Sequence, residues 1–274
     1  MKSREDGSEA GATADRATRG AALTAEDFGL KGPRGWAFRH VRIDAGPGAL
    51  IAVEGPSGSG RTCLLLALTG RMRPTEGHAE VDGLPLRRGR GLAAVRRISA
   101  LGPVPGVSDL DPALTVAEHL RERVSLRRRF DGPVPTLLRP RAERAAGTRG
   151  LIGSALEAAG LDMSALPKGE RTPVRDLERL EALRLSVALA LIGRPRLLAV
   201  DDLDLKLSDA GRAEAWKLLR SVAAGGVTVL AVCGRAPGDA DVVVRTEDRS
   251  ERSETDGTRN ERRTADAFAG TRRA

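Results

Sequence analysis

Short apolar runs alternate with amphipathic stretches along most of this chain. Ala49–Gly55, "ALIAVEG", is apolar almost throughout and predicts a strand buried on both faces. "RTCLLLALTGRM" follows it with helical character. Leu197–Asp202, "LLAVDD", predicts a second buried strand, "GVTVLAVCG" a third and "ADVVVRTED" a fourth. Between the second and third lies "SDAGRAEAWKLLRSVAA", an amphipathic helix with Ser208 as its N-cap. Buried strands separated by helices predict a parallel sheet in an α/β domain. The stretch from Thr115 to about Ile192 differs, because its patterns are almost all helical. Thr115-Val-Ala-Glu118 has the capping-box spacing and opens "TVAEHLRERVSLRRR". The pattern thus predicts an α/β core with a helical insertion at about 113–192. Residues 1–22 are polar and rich in Gly and Ala, and from 246 onward charges alternate without apolar period. Both ends are predicted to be disordered tails, leaving 23–245 as the folded body.

Composition changes this picture little. Of 274 residues 41% are hydrophobic, enough for a real core, but only 2% are aromatic, so packing rests on Leu, Val, Ile and Ala. The formal net charge is +8, and Arg supplies nearly all of the basic residues. Much of the excess falls in Arg121–Arg149. That span could meet nucleic-acid phosphates. Its one aromatic, Phe130, is too little for a platform on which single strands stack, so nucleic acid is not the expected partner. An acidic partner loop, anionic headgroups or a solvated Arg-rich face are the alternatives. The two cysteines, Cys63 and Cys233, suggest neither a disulfide framework nor a zinc site. The start, "MKSREDGSEAGATADRATRG", has no apolar signal-peptide core, and no run approaches a bilayer span, so a cytoplasmic location is expected. His40, His78 and His119 are scattered without metal spacing and read as solvated or capping residues.

The chemistry concentrates in Gly55–Thr62, "GPSGSGRT". A phosphate-binding loop needs glycines so that successive N–H groups can turn inward, a strand before it, and a helix N-terminus after it. Gly55, Gly58 and Gly60 meet the first need, and the flanking "LIAVE" and "CLLLALTG" meet the others. Thr62 offers a hydroxyl for Mg²⁺. Arg61 stands where such a loop has Lys. Alone, these eight residues also fit a ligand-free Gly-rich turn. "RLLAVDD" supplies the second half of a site, because Asp201 follows four apolar residues at a strand end and Asp202 adjoins it.

Together these segments resemble the nucleotide-binding subunit of an ABC transporter over roughly 23–245. The resemblance rests on "GPGALIAVEGPSGSGRTCLLLALTGRMRPTEGHAEVDGLPL", "LDPALTVAEHL" and "VALALIGRPRLLAVDDLD". It implies a P-loop NTPase core of ABC type with an inserted helical subdomain. It also implies a dimer, homo- or hetero-, that sandwiches two ATP molecules, and attachment to a membrane permease subunit on a separate chain. On that resemblance Gly55 and the backbone of Ser57, Gly58, Ser59, Gly60, Arg61, Thr62 and Cys63 would hold ATP. Thr62 and Asp201 would hold Mg²⁺, and Asp202 would stand at the catalytic Glu.

Several positions depart from the family. Its signature aligns with Leu177, Glu178, Arg179, Leu180 and Glu181, "LERLE", which lacks both glycines. A glutamine is missing from "ALGPVPGVSD", and Gly234 stands at the switch histidine. No aromatic is in register to stack on adenine; Trp36 lies nearby, as stacking residue or core filler. Cys63, in the first turn of the loop helix, reads as a packing residue. Binding positions are better kept than catalytic ones, so the expectation is ATP·Mg binding with weak turnover. The alternatives are a regulatory nucleotide-binding module that does not hydrolyse, and a nucleic-acid-associated protein.

Overall fold

The computed structural model describes residues 20–33, 35–87, 89–130, 141–204 and 206–246. Two sheets form its core. Strands β1 (Leu23–Gly32), β2 (Gly35–Ala45), β4 (Glu76–Val81) and β5 (Leu84–Pro85) make an antiparallel sheet in the order β2-β1-β4-β5. Strands β3 (Leu50–Glu54), β6 (Ser99–Leu101), β7 (Leu197–Val200), β8 (Thr228–Cys233) and β9 (Val242–Arg245) make a parallel sheet in the order β6-β7-β8-β3-β9. Helices α1 (Arg61–Leu68), α2 (Arg90–Ile98), α3 (Val116–Phe130), α4 (Arg141–Ala158), α5 (Arg179–Ile192) and α6 (Asp209–Ala224) complete it. The four predicted strands are β3, β7, β8 and β9.

Every residue of β7 and β8 is buried, and so are the first four of β3. Strand geometry sends alternate side chains to opposite faces. Ile51, Val53, Leu197, Ala199, Leu230 and Val232 therefore pack under the antiparallel sheet with Leu64, Leu65 and Leu68 of α1. Leu50, Ala52, Leu198, Val200, Val229 and Ala231 face the other way, against α5 and α6. A third cluster, with Val116, Leu120 and Val124 of α3 and Leu185 and Ile192 of α5, makes the helical part. α5 contributes to both the second and the third, so it ties the insertion to the parallel sheet.

Capping follows the sequence. Glu118 Oε2 accepts from the Thr115 amide at 2.7 Å and Thr115 Oγ1 from the Glu118 amide at 3.3 Å. Ser208 Oγ accepts from the Gly211 amide at 3.1 Å. Part of the basic span is not solvated. Arg123 Nε donates to the Leu189 carbonyl at 3.0 Å and Arg127 Nη1 to that of Ile192 at 2.7 Å, satisfying the end of α5. The middle of that span, 131–140, lies outside the described residues, as do the first 19 residues and those from 247 onward.

Order extends slightly past both expected tail boundaries. Ala21 is fully buried, and its amide bonds the Arg196 carbonyl at 3.1 Å. At the other end Thr246 is buried, because its amide continues the β3–β9 ladder onto the Glu54 carbonyl at 2.9 Å.

Candidate nucleotide site

The carboxyl ends of β3, β7, β8 and β9 lie side by side, the place where open α/β sheets bind ligands. Residues 55–62, 201–204, 233–234 and 246 meet there. The loop leaves β3, closes a turn through the Ser59 amide on the Pro56 carbonyl at 3.2 Å, and enters α1 at Arg61. Gly60 caps that helix with φ 87, a left-handed conformation natural to glycine. Its α-carbon faces the Ala37 backbone so closely that a Cβ would overlap the carbonyl. Gly55 is equally confined, beneath Thr246 and Ser59. Gly58 also has positive φ but has open space around it.

The opening turn of α1 carries amides that no helical carbonyl can satisfy, at the positive end of the helix dipole. Arg61 and Thr62 present theirs there. Ser59 is placed differently, because its hydroxyl is buried and sits 2.6 Å from Thr246 Oγ1. Thr246 thus braces the loop from below. Its sequence signal was weak, a single Thr at the start of a charged run. Cys63 packs partly buried against the core, as expected.

Thr62 and Asp201, 139 residues apart, are brought together: Thr62 Oγ1 donates to Asp201 Oδ2 at 2.6 Å. Asp201 is 3% exposed. Burial holds its carboxyl above the ordinary aspartate range, helped by the neighbouring Asp202 charge and opposed by the Thr62 hydrogen bond. No cluster of three or more His, Cys, Asp or Glu occurs among the described residues. The two oxygens fit a Mg²⁺ that keeps phosphate oxygens and water as its other ligands. Asp202 has φ 47, and its amide bonds Asp201 Oδ1 at 3.0 Å. It lines a cleft of about 200 Å³ with Ser108, Asp109, Arg179 and Ser186.

Arg61 crosses the site. Its Nη1 donates to the Cys233 carbonyl at the end of β8. The next residue, Gly234, has no side chain to offer; its amide donates instead to Asp204 Oδ2 at 2.6 Å. Burial pushes the Cys233 thiol up to about 12, with the Asp204 and Glu54 charges adding to it. Cys233 is therefore expected to resist iodoacetamide at about pH 8 in the folded protein and to react once unfolded, as intact-mass spectrometry would show.

The "LERLE" segment forms the N-terminus of α5. Glu178 is its N-cap and accepts from the amide of Glu181, whose own carboxylate accepts from the Glu178 amide at 2.8 Å. Two carboxylates thus satisfy a helix start that would otherwise attract an anion. Glu178→Ala is expected to cost about 1 kcal/mol of stability and Glu178→Ser far less, read by thermal melting.

Other residues fall outside the site or beside it. Trp36 adjoins Ala37, which touches the loop. Lys31 Nζ lies 5.3 Å and the Arg39 guanidinium 4.8 Å from its ring centroid. His119 is buried rather than solvated, with Nε2 3.2 Å from the Asp111 carbonyl, and His40 pairs with Asp27. The short β6 and the loop after it went unpredicted. There Ser108 Oγ donates to the Gly102 carbonyl at 2.6 Å, shaping the cleft beside Asp202.

Comparison with known proteins gives this geometry a context. A family model described as ABC transporter matches residues 38–203, more than half of the 274. The chain is 31% identical over 191 residues to the Nod factor export ATP-binding protein I of Cupriavidus metallidurans, covering 70% of this chain and 55% of that protein. It is 31% identical over 198 residues to the ATP-dependent lipid A-core flippase of the same organism, covering 71% and 30%. The chain thus spans about half, or less, of these relatives' lengths. Among solved structures, cbiO1 of a Clostridium perfringens ABC transporter complex matches with TM-score 0.65 and 20% identity, over 87% of this chain and 93% of that one. A dimeric ATP-binding cassette bound to ADP and Pi matches with TM-score 0.60 and 21% identity, over 78% and 88%. At such identity the structural matches establish the fold, a P-loop NTPase of the ATP-binding cassette type, and the family model establishes the lineage: this chain belongs to the ABC transporter family.

Proposed function

We propose that the chain is the ATP-binding subunit of an ABC transporter, holding ATP with Mg²⁺ and coupling it to a separate membrane permease, with slow hydrolysis. The observation that carries this reading is the 2.6 Å Thr62–Asp201 pair beside the N-terminus of α1, an anion site and a cation site side by side. The amides of Ser57, Gly58, Gly60, Arg61, Thr62 and Cys63 would surround the phosphates, with Gly55 letting the loop sit low and Ser59 bracing it. Thr62 and Asp201 would hold Mg²⁺, which shields phosphate charge when bound. Relatives named for export and flipping support a transport role. Among the described residues no helix is long and apolar enough to cross a membrane. In this reading a permease on another chain would hold the subunit at the inner face of the cell membrane.

Slow turnover follows from four positions. Arg61 must leave the Cys233 carbonyl to reach phosphate, and its planar fork replaces the point charge of Lys. Asp202 would act as the base but is one methylene shorter than Glu, and a misplacement of about 1 Å can cost on the order of 100-fold in rate. Gly234 has no side chain for the transition state. The α5 N-terminus is already closed by Glu178 and Glu181. This last feature favours a heterodimer, in which the partner supplies the second surface. Steady-state ATP hydrolysis by the purified chain should run well below ~1 s⁻¹, an ordinary enzyme rate. Turnover at or above that rate, abolished by Asp202→Asn, would refute the slow-turnover half. The same four positions favour a second reading, a regulatory module that binds ATP without hydrolysing it. Complete absence of phosphate release in the presence of a permease would select it.

A further inference from the structure

One peptide unit at the end of β8 is gripped at both ends by opposite charges. The Cys233 carbonyl accepts from Arg61 Nη1, and the N–H of that same peptide, on Gly234, donates to Asp204 Oδ2 at 2.6 Å. Arg61 is the first residue of α1, and Asp204 lies in the loop after β7, so three separate segments meet on one peptide. The Cys233 thiol, raised mainly by its burial, registers both charges: Asp204 raises its pKa further and Arg61 lowers it. Asp204 is also shared. Its Oδ1 lies 3.2 Å from Arg212 Nε of α6, and Arg212 Nη1 lies 3.4 Å from Asp209.

A peptide unit is a dipole, negative at its oxygen and positive at its N–H. A carboxylate that accepts from the N–H pushes electron density through the amide onto the carbonyl oxygen, which then binds a cation more firmly. Bonds with one ionised partner are already about twice as strong as neutral ones. Here each end of the peptide has such a partner, and each strengthens the other. The gain falls on Arg61, whose guanidinium must be elsewhere to meet a phosphate. We propose that Asp204 is a positioning residue for Arg61: through the Cys233–Gly234 peptide it holds the guanidinium on the carbonyl and away from the place of the phosphates, and a nucleotide that draws Arg61 off loosens Asp204 in return. Arg212 tempers that hold, because it competes for the same carboxylate. The inference rests on the proposed function for what draws Arg61 away, and adds a regulator of the loop that stands outside it.

This peptide can be watched alone by nuclear magnetic resonance. The two cysteines are followed by Leu64 and Gly234, so Cys labelled with ¹³C at its carbonyl and Gly labelled with ¹⁵N give a single coupled signal, that of Cys233–Gly234. In the nucleotide-free full-length chain, Arg61→Ala should move the Gly234 amide proton upfield, although Arg61 bonds only the other end of the peptide. Mg·ATP should move the wild-type signal the same way. Asp204→Asn keeps an acceptor for the amide but loses the charge. It should tighten ATP binding about two- to fivefold, because cooperative strengthening amounts to roughly 10–30% of a bond. Arg212→Gln frees the carboxylate and should weaken binding by about twofold, the same effect with its sign reversed. A pair that merely braced the loop would shift affinity in one direction in both variants, and that result would overturn the proposal. An amide proton indifferent to Arg61→Ala would overturn it too, since Asp204 would then act on nucleotide by charge alone. So would a signal that stays in place while calorimetry shows ATP bound. Absence of ATP binding, with an amide that still answers to Arg61→Ala, would overturn the proposed function alone and leave the hold on Arg61 supported.

Discussion

Gly60→Ala should lose much stability and nucleotide affinity, while Gly58→Ala should lose only the stability that left-handed strain costs and keep its affinity. Both glycines have positive φ, 87 and 80 respectively, so both substitutions carry left-handed strain of about 1–2 kcal/mol. Only at Gly60 does the added methyl meet backbone, the carbonyl of Ala37 on β2. A backbone carbonyl within a strand cannot swing aside as a flexible side chain can, so overpacking adds about 1–3 kcal/mol. The loop's other escape is to lift away from β2. That turns the Gly60 and Arg61 amides off the place a phosphate would occupy. Each hydrogen bond lost to a charged oxygen weakens binding by about 1.5–3 kcal/mol, roughly tenfold or more. Thermal melting and ATP titration on the two variants separate strain, shared by both, from collision, confined to Gly60. Equal behaviour of the two would contradict the loop geometry.

Asp201→Asn should stabilise the nucleotide-free protein at neutral pH and lose the Mg²⁺-dependent part of ATP binding. The Asp201 carboxyl is held above its ordinary value near 3.8, mainly by burial. An acid raised on folding is charged only at a free-energy cost to the folded state. That cost is absent below the unfolded value, grows as pH rises towards the folded one, and persists at neutral pH. Asparagine removes the charge and can still accept from Thr62, so the melting temperature at pH 7 should rise and its dependence on pH between about 4 and 7 should flatten. The same change removes an anionic oxygen from the proposed Mg²⁺ site. A loss of about 10–100-fold in the Mg²⁺-dependent affinity is expected, the range seen when a group supporting a metal site is removed. In wild type that affinity should decline on acidification at a higher pH than an ordinary aspartate would dictate, because protonating Asp201 is easier. An Asp201→Asn chain that melts lower than wild type, or that keeps its full response to Mg²⁺, would contradict this description of the site.

Opposed signs in one substitution are the mark of a functional residue. Burying an acid costs the fold free energy, here more than the Arg61 charge and the Thr62 hydrogen bond give back, and local strain of this kind is expected where a ligand is to be met.

What could be seen in advance divides by distance along the chain. β3, β7 and β8 announce themselves because both faces are buried, so their apolar runs are unbroken. β1 and β2 do not. Register shifts near Phe28 and Leu30 break the two-residue alternation that would mark them. β6 is only three residues long, too short for any period. "GPSGSGRT" and "LLAVDD" were recognisable as parts, but their meeting at 2.6 Å is a property of the β3-β8-β7 order and not of either segment. Local spacing did carry one unread signal: Glu178 and Glu181 are three apart, as a capping box requires, and the structure uses them as one. Arg61 on the Cys233 carbonyl joins residues that only the fold makes neighbours, so no local pattern foretells it.

The central claim is that this loop and the Thr62–Asp201 pair form a working ATP·Mg²⁺ site despite Arg61. Calorimetric titration of the full-length chain with ATP, run with Mg²⁺ and again with EDTA, tests it most directly. The account predicts saturable binding near one ATP per chain that tightens markedly with Mg²⁺. No detectable binding under either condition, or binding indifferent to Mg²⁺, would contradict it.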